Sequence, residues 1–222
     1  MLEIKNLIKK YGNQIVLNNL NLKSDKQVIG LIGDNGSGKT TLFKCIAGIE
    51  TYQGEISQKQ SSNYKTGLLL TEPFFMPYLT GYEYLTLLCK ARNINPPDFS
   101  KSNIFNLPLN QYAANYSTGM KKKLALTGVL IQQNETFIFD EPYNGVDHQG
   151  CQLIMAVIEK LKAKGHTILI SSHIIDTLTP ICDTLFVIKQ GTISEEIQHH
   201  NFNAFISNLK LQAQKNIDVL WE

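Results

Sequence analysis

The chain has 222 residues, 43% hydrophobic and 18% charged, a composition that fits one globular domain, or one domain with an inserted lobe, and excludes a disordered chain. Its 21 Lys and Arg against 19 Asp and Glu leave a net charge of +2, so no nucleic acid is expected as a partner. The apolar runs, such as 28–32 and 136–139, fall far short of the roughly 18 residues a membrane span needs, and Met1-Leu2-Glu3-Ile4-Lys5 carries no secretory pattern.

In chain order, residues 2–7 and 16–22 read as strands about a Tyr11-Gly12-Asn13 turn, the second with Leu20 and Leu22 alternating with asparagines. Residues 27–32 form an apolar run that suits a buried strand, feeding a glycine-rich turn and a helix from Lys39 to about Gly48. Short strands follow over 54–57 and 67–70. From Thr80 the spacing becomes helical, with Tyr84, Leu87 and Leu88 on one face as far as the breaker Asn95-Pro96-Pro97-Asp98, and a second helix is expected over 118–132. Residues 73–132 therefore read as a mostly helical lobe inserted into an α/β core. After it come a strand (136–139), a helix (146–163) and strands over 167–170 and 184–189, an alternation that implies a largely parallel sheet. Cys45, Cys89, Cys151 and Cys182 are scattered, without a C-x-x-C pair, and read as reduced, mostly buried thiols of a cytoplasmic protein.

Gly33-Asp34-Asn35-Gly36-Ser37-Gly38-Lys39-Thr40 fits G-x-x-x-x-G-K-[ST] between a strand and a helix. Glycines let successive N–H groups turn around phosphate oxygens, and the helix N-terminus adds favourable potential. Lys39 then reaches the β- and γ-phosphates, and the Thr40 hydroxyl, followed by Thr41, ligates Mg²⁺. The loop indicates a nucleoside triphosphate without saying what is done with it. No Asn is followed by Lys, so the N-K-x-D element of a GTPase is missing.

Thr136-Phe137-Ile138-Phe139-Asp140-Glu141-Pro142 is an apolar strand ending in two carboxylates, which alternation places on different faces. One suits the metal, the other an attacking water. Ser171-Ser172-His173 ends a further apolar strand, at the sheet edge where a parallel fold binds ligands. There His173 could reach a γ-phosphate oxygen or the water.

The loop, Asp140-Glu141 and His173 resemble, in order and spacing, the ATP-binding-cassette (ABC) ATPases. Tyr116-Ser117-Thr118-Gly119-Met120, followed by Lys121-Lys122-Lys123, resembles the Y-S-x-G-M-K signature variant of export-type ATPase subunits. The implied fold class is α/β: a P-loop NTPase core with a largely parallel sheet, an N-terminal antiparallel β portion and an inserted helical lobe. As domains, the resemblance implies a single ABC ATPase domain over 1–222, with 1–72 and 133–222 as nucleotide-binding core and 73–132 as signature lobe. It assigns Glu141, His173 and Lys39 to catalysis, Tyr11 to stacking on adenine, and Gly33 to Thr41 to the nucleotide. Ser117, Thr118, Gly119 and Met120 would grip the γ-phosphate bound to a second subunit, and Asn144, Gly145 and Asp147 would lie in the loop at the dimer interface. Thr40 and Asp140 would hold the metal.

Where the family has a metal-ligating Gln, Thr71 stands with Glu72 beside it, so either Glu72 takes that place or water completes the metal's shell. Thr118 and Met120 likewise depart from the usual Gly and Gln. Pro73-Phe74-Phe75-Met76-Pro77-Tyr78-Leu79 reads either as the groove that receives a permease helix or as lobe core, and Lys121 to Lys123 as a solvated helix face. The resemblance implies ATP and Mg²⁺ as cofactors and a dimer of ATPase subunits sandwiching two ATP. It also implies a separate transmembrane permease, and attachment to the cytoplasmic face of the membrane through it. Export is the expected process. A soluble ABC ATPase, for example of iron-sulfur cluster assembly, is the alternative; a P-loop kinase would leave Ser117, Gly119 and His173 unexplained.

Overall fold

The computed structural model describes residues 2–25, 27–58 and 65–218. The chain begins with β1 (Leu2–Tyr11), β2 (Gln14–Ser24), β3 (Val28–Ile32), α1 (Lys39–Ile46), β4 (Gln53–Gln58) and β5 (Thr66–Leu69). Helices α2 (Gly81–Ala91), α3 (Phe99–Ser102) and α4 (Thr118–Ile131) follow. The rest comprises β6 (Thr136–Asp140), α5 (His148–Ala163), β7 (Thr167–Ser171), β8 (Thr184–Lys189), β9 (Thr192–Gln198) and α6 (Phe202–Asp218).

These strands make two sheets. An antiparallel one has the order β2-β1-β4, and a six-stranded one has the order β5-β6-β7-β3-β8-β9, parallel as far as β8 with β9 antiparallel at its edge. The α/β class with a largely parallel sheet and an antiparallel N-terminal portion is therefore what the chain adopts. The asparagines of the first hairpin have a structural use. Asn6 and Asn19 both take φ of 50° where the β1–β2 register slips, a conformation Asn tolerates better than most side chains.

Alternation along the central strands separates two cores. Ile29, Leu31, Ile138, Leu169, Phe186 and Ile188 face α1 and the leucines of β1 and β2. Val28, Phe137, Phe139, Ile168, Ile170, Leu185 and Val187 face the other way, against α2, α4 and α5. Burial on both faces is why these strands read as unbroken apolar runs. Each buried aliphatic side chain contributes about 1.5–3 kcal/mol of transfer free energy, so this double layer holds the C-terminal ends of β3, β6 and β7 in fixed register at one edge.

Capping sets where the helices begin. Thr80 and Glu83 form a capping box at α2, Ser117 accepts from the Met120 amide at α4, and Asp147 accepts from the Gly150 amide at α5. The Asp147 cap starts α5 at His148 rather than at the Val146 expected from periodicity. All four cysteines are free, Cys45, Cys89 and Cys182 buried and Cys151 partly so. Burial pushes the Cys45 thiol up to about 11 and Cys182 further, so both stay protonated at neutral pH.

Candidate functional site

The turn after β3 wraps a cavity of about 670 Å³, within the usual range for small-molecule sites. Its wall is shared among the phosphate loop (Asn35, Gly36, Gly38, Lys39, Thr40, Thr41), the ends of β5 and β6 (Thr71, Glu72, Asp140, Glu141), and Asn144 and His173. Residues that the sequence scatters over about 140 positions thus meet at one sheet edge. Gly38, the residue before α1, has φ of 111°, in the region that side chains avoid. Lys39 folds back over the loop, its ammonium donating to the carbonyls of Gly33 at 2.6 Å and Asp34 at 3.0 Å. The buried Ser37 hydroxyl has no protein partner, an orphan of the kind a bound anion satisfies.

Asp140 is 0% exposed and receives three hydroxyls. Thr40 donates to Oδ2 at 2.5 Å, Thr71 to the same oxygen at 2.9 Å, and Ser171 to Oδ1 at 2.6 Å. Next in sequence, Glu141 leaves the strand with φ of 49°, a strained value for a residue with a side chain. Its amide donates to Ser171 Oγ at 3.0 Å. His173 Nδ1 stands 2.9 Å from Glu141 Oε2. The other carboxylate oxygen, Oε1, is buried without a protein partner. The two carboxylates thus have different environments, as strand alternation requires.

Residues 17–144, more than half of the chain, match the ABC transporter family. The chain belongs to the ABC transporter family. Among its relatives, the lantibiotic transport ATP-binding protein SrtF of Streptococcus pyogenes is 33% identical, over 90% of this chain and 91% of the relative. The bacitracin transport ATP-binding protein BcrA of Enterococcus faecalis is 32% identical, over 89% of this chain and 69% of the relative. A solved ATP-binding subunit of an ABC transporter superposes with a TM-score of 0.77 at 26% identity, covering 89% of this chain and 90% of its own. A dimeric bacterial ABC transporter cassette superposes at 0.78 with 20% identity, which speaks for the fold alone. This chain is an ATP-binding cassette of the ATPase type, and relatives named for transport favour that reading over cluster assembly.

The segment 117–120, expected to be the signature, lies apart from the cavity of its own chain. Ser117 and Thr118 are exposed at the start of α4, and none of Ser117, Thr118, Gly119 and Met120 lines the cavity. Gly119 packs on the loop after β6 so closely that a Cβ there would come 2.6 Å from the Gly145 carbonyl oxygen. Of that loop, Asn144 lines the cavity, while Asp147 pairs with Lys123 at 2.6 Å. This ammonium and the Gly150 amide hold the Asp147 carboxyl below the usual range.

Tyr11 stands outside the cavity wall, 43% exposed at the end of β1, with the Lys9 ammonium 4.8 Å from its ring centre. Of the aromatic run 73–79, Phe75 joins the lobe core against Tyr84, whereas Phe74 and Tyr78 are 79% and 81% exposed. The lobe-core reading of that run therefore holds for Phe75 and not for Phe74 or Tyr78. Thr71, not Glu72, reaches Asp140; Glu72 is exposed at the cavity wall.

The lysine run is a correction. Lys122 is 0% exposed, and Lys123 is drawn to Asp147, so the run is not a solvated face. Consecutive residues spread around a helix, and Lys122 shares the core-facing row of Ala125, Leu126 and Val129, three, four and seven positions on, a spacing readable in the sequence. Burial pushes the Lys122 ammonium down to about 8, against the opposite pull of Asp140, Glu141 and Glu72. Ser171 is the other residue without an expected role. Its register opposite Asp140 gives it the task of linking both carboxylate positions.

Proposed function

We propose that this cassette binds Mg-ATP between the phosphate loop and the ends of β5, β6 and β7, and hydrolyses it to ADP and phosphate to drive export through a separate transmembrane permease. The observation that carries the reading is Glu141. One carboxylate oxygen is held by His173 and the other is buried and unpartnered beside the phosphate-loop cavity, the arrangement a water-polarising base requires. Thr40, Thr71 and Asp140 present hard oxygen donors around one point, a set that suits Mg²⁺. When bound there, Mg²⁺ neutralises charge on the β- and γ-phosphate oxygens. The location of the Thr71 hydroxyl favours it over Glu72 as a further ligand.

In this reading Lys39 exchanges its loop carbonyls for phosphate oxygens, and the backbone N–H groups of the loop, with Ser37, hold the β-phosphate. Glu141 orients a water in line with the γ-phosphorus and takes up its proton as the bond to the bridging oxygen breaks. His173 steadies the carboxylate and the γ-phosphate. Tyr11 supplies the surface for adenine. Ser117, Thr118, Gly119 and Met120 complete the site of a second, head-to-tail subunit, with Asn144, Gly145 and Asp147 at the contact; the exposure of Ser117 and Thr118, away from their own cavity, supports this.

Residues 1–222 would act as a single ABC ATPase domain, 1–72 and 133–222 as core and 73–132 as signature lobe. Exposed Phe74, Met76 and Tyr78 would receive the permease, and hold the cassette at the cytoplasmic face. Among the described residues no helix is long and apolar enough to cross a membrane. The names of SrtF and BcrA support a peptide such as a lantibiotic or bacitracin as cargo. The test is product analysis with purified chain and Mg-ATP. ADP and free phosphate in equal amounts are expected, and a phosphorylated acceptor in place of free phosphate would indicate a kinase instead.

A further inference from the structure

The reading above gives the buried ammonium of Lys122 no task, yet its surroundings are highly specific. It donates to three backbone carbonyls, those of Leu70 at 3.3 Å, Glu141 at 3.2 Å and, closest, Thr71. An ammonium has three N–H donors and no acceptor, so these carbonyls use its whole capacity. Leu70 and Thr71 follow β5 and carry the hydroxyl that meets Asp140, while Glu141 follows β6. One side chain of the signature helix thus joins the segments that hold the metal-binding and water-polarising groups.

Glu141 needs such a hold. A left-handed conformation at a residue with a side chain persists only where the surroundings over-determine it. Its amide is fixed by Ser171 Oγ from β7, and its carbonyl by the Asn144 amide of its own turn and by Lys122 from α4. The opening turns of α4 touch the same loop at two further points, Gly119 against the Gly145 carbonyl and Lys123 against Asp147. A displacement of α4 therefore bears on the 141–147 loop through three contacts, of which Lys122 alone reaches the Glu141 peptide.

We propose that Lys122 is a positioning residue for hydrolysis: its three carbonyl contacts keep the Glu141 carboxylate and the Thr71 hydroxyl in their working places and make turnover depend on how α4 is seated. The proposal rests on the ATPase reading given above. A neutral side chain of similar length removes the ammonium donor from all three carbonyls, leaving that of Glu141 with the Asn144 amide, and Gln, with two N–H groups, restores only part of the set.

The test compares wild type, Lys122→Met and Lys122→Gln by phosphate release, by titration with a fluorescent ATP analogue, by thermal melting and by hydrogen exchange of the 140–147 segment. Lys122→Met is expected to lower kcat by about ten- to a hundredfold, the scale set by a small misplacement of a reacting group, with KM and analogue affinity within about twofold. Lys122→Gln should recover part of the loss, and exchange of 140–147 should rise in Lys122→Met while β3 is unchanged. If Lys122→Met does not fold, Lys122→Gln carries the same comparison. Unchanged kcat, unchanged exchange of 140–147, or loss of kcat matched by equal loss of affinity and of melting temperature would overturn the role of Lys122. A wild-type chain that neither binds nor hydrolyses ATP would overturn instead the reading on which the role rests.

Discussion

Within the site, two adjacent carboxylates differ in what surrounds them, and the difference predicts separable defects. Asp140 accepts from three hydroxyls, whereas Glu141 keeps one buried oxygen without a partner. Glu141→Gln preserves shape and removes the base, so phosphate release should fall by roughly 10²–10⁴-fold while an ATP titration gives near-normal affinity. Turnover like wild type in that variant would remove Glu141 from the role. Lys39→Ala acts earlier, because the lysine's charge serves binding. Affinity should drop by about tenfold or more, as expected when a charge-assisted hydrogen bond is lost, and calorimetric titration reads it directly. At this scale the motif residues were legible because each combines a required residue type with a required strand end. Lys122 was obscured by its neighbours Lys121 and Lys123, which made three lysines look like one solvated run although spacing put the middle one inward. The partner of Thr71 was not readable either, since nothing in Thr71-Glu72 says which side chain turns toward Asp140.

Elements are held in place by polar ties as well as by the two cores. The Asp183 carboxylate accepts from the Val28 amide at 2.9 Å and from the Lys162 ammonium at 2.7 Å, linking the start of β3 to α5 and to the approach of β8. Burial opposes ionisation of Asp183, but Lys162 and the amide outweigh it and hold the carboxyl below its usual range. Asp183→Asn should cost about 1–2 kcal/mol at neutral pH, a value discounted because Lys162 is partly exposed and screened. The sign with pH follows from the lowered value. The stabilisation is present above the unfolded-state pKa near 3.9 and is lost as pH falls through the lower folded one, so the two melting curves should converge in acid. A gap that stays constant from neutral pH into strong acid would show that the charge is not its source. Elements buried on both faces, such as β3, β6 and β7, were legible as apolar runs. The β8–β9 hairpin was not, because β9 is an edge strand rich in polar residues with an exposed middle, and its signal is only the turn Gln190-Gly191, where φ is 47° and 77°. Helix α6 lay beyond reach for the same reason. Phe202 and Phe205 dock its start on the core, and the described side chains that follow are largely exposed.

At the scale of the whole molecule, the proposed head-to-tail arrangement, with Ser117 and Thr118 exposed away from their own cavity, predicts that nucleotide binding and dimerisation form one equilibrium. Glu141→Gln, which retains ATP, should run as a dimer by light scattering with Mg-ATP and as a monomer without it. Ser117→Arg in the same background should keep it monomeric, since a bulky charge at the start of α4 would block the second subunit. A dimer indifferent to both nucleotide and Ser117→Arg would place the contact elsewhere. The central claim is that this hydrolysis serves a permease, and the most direct measurement is to trap tagged Glu141→Gln with Mg-ATP in its native host and identify what co-purifies from detergent-solubilised membranes and from cytosol. The account predicts a polytopic membrane protein in stoichiometric yield. A purely soluble partner, with nothing from the membrane, would contradict it.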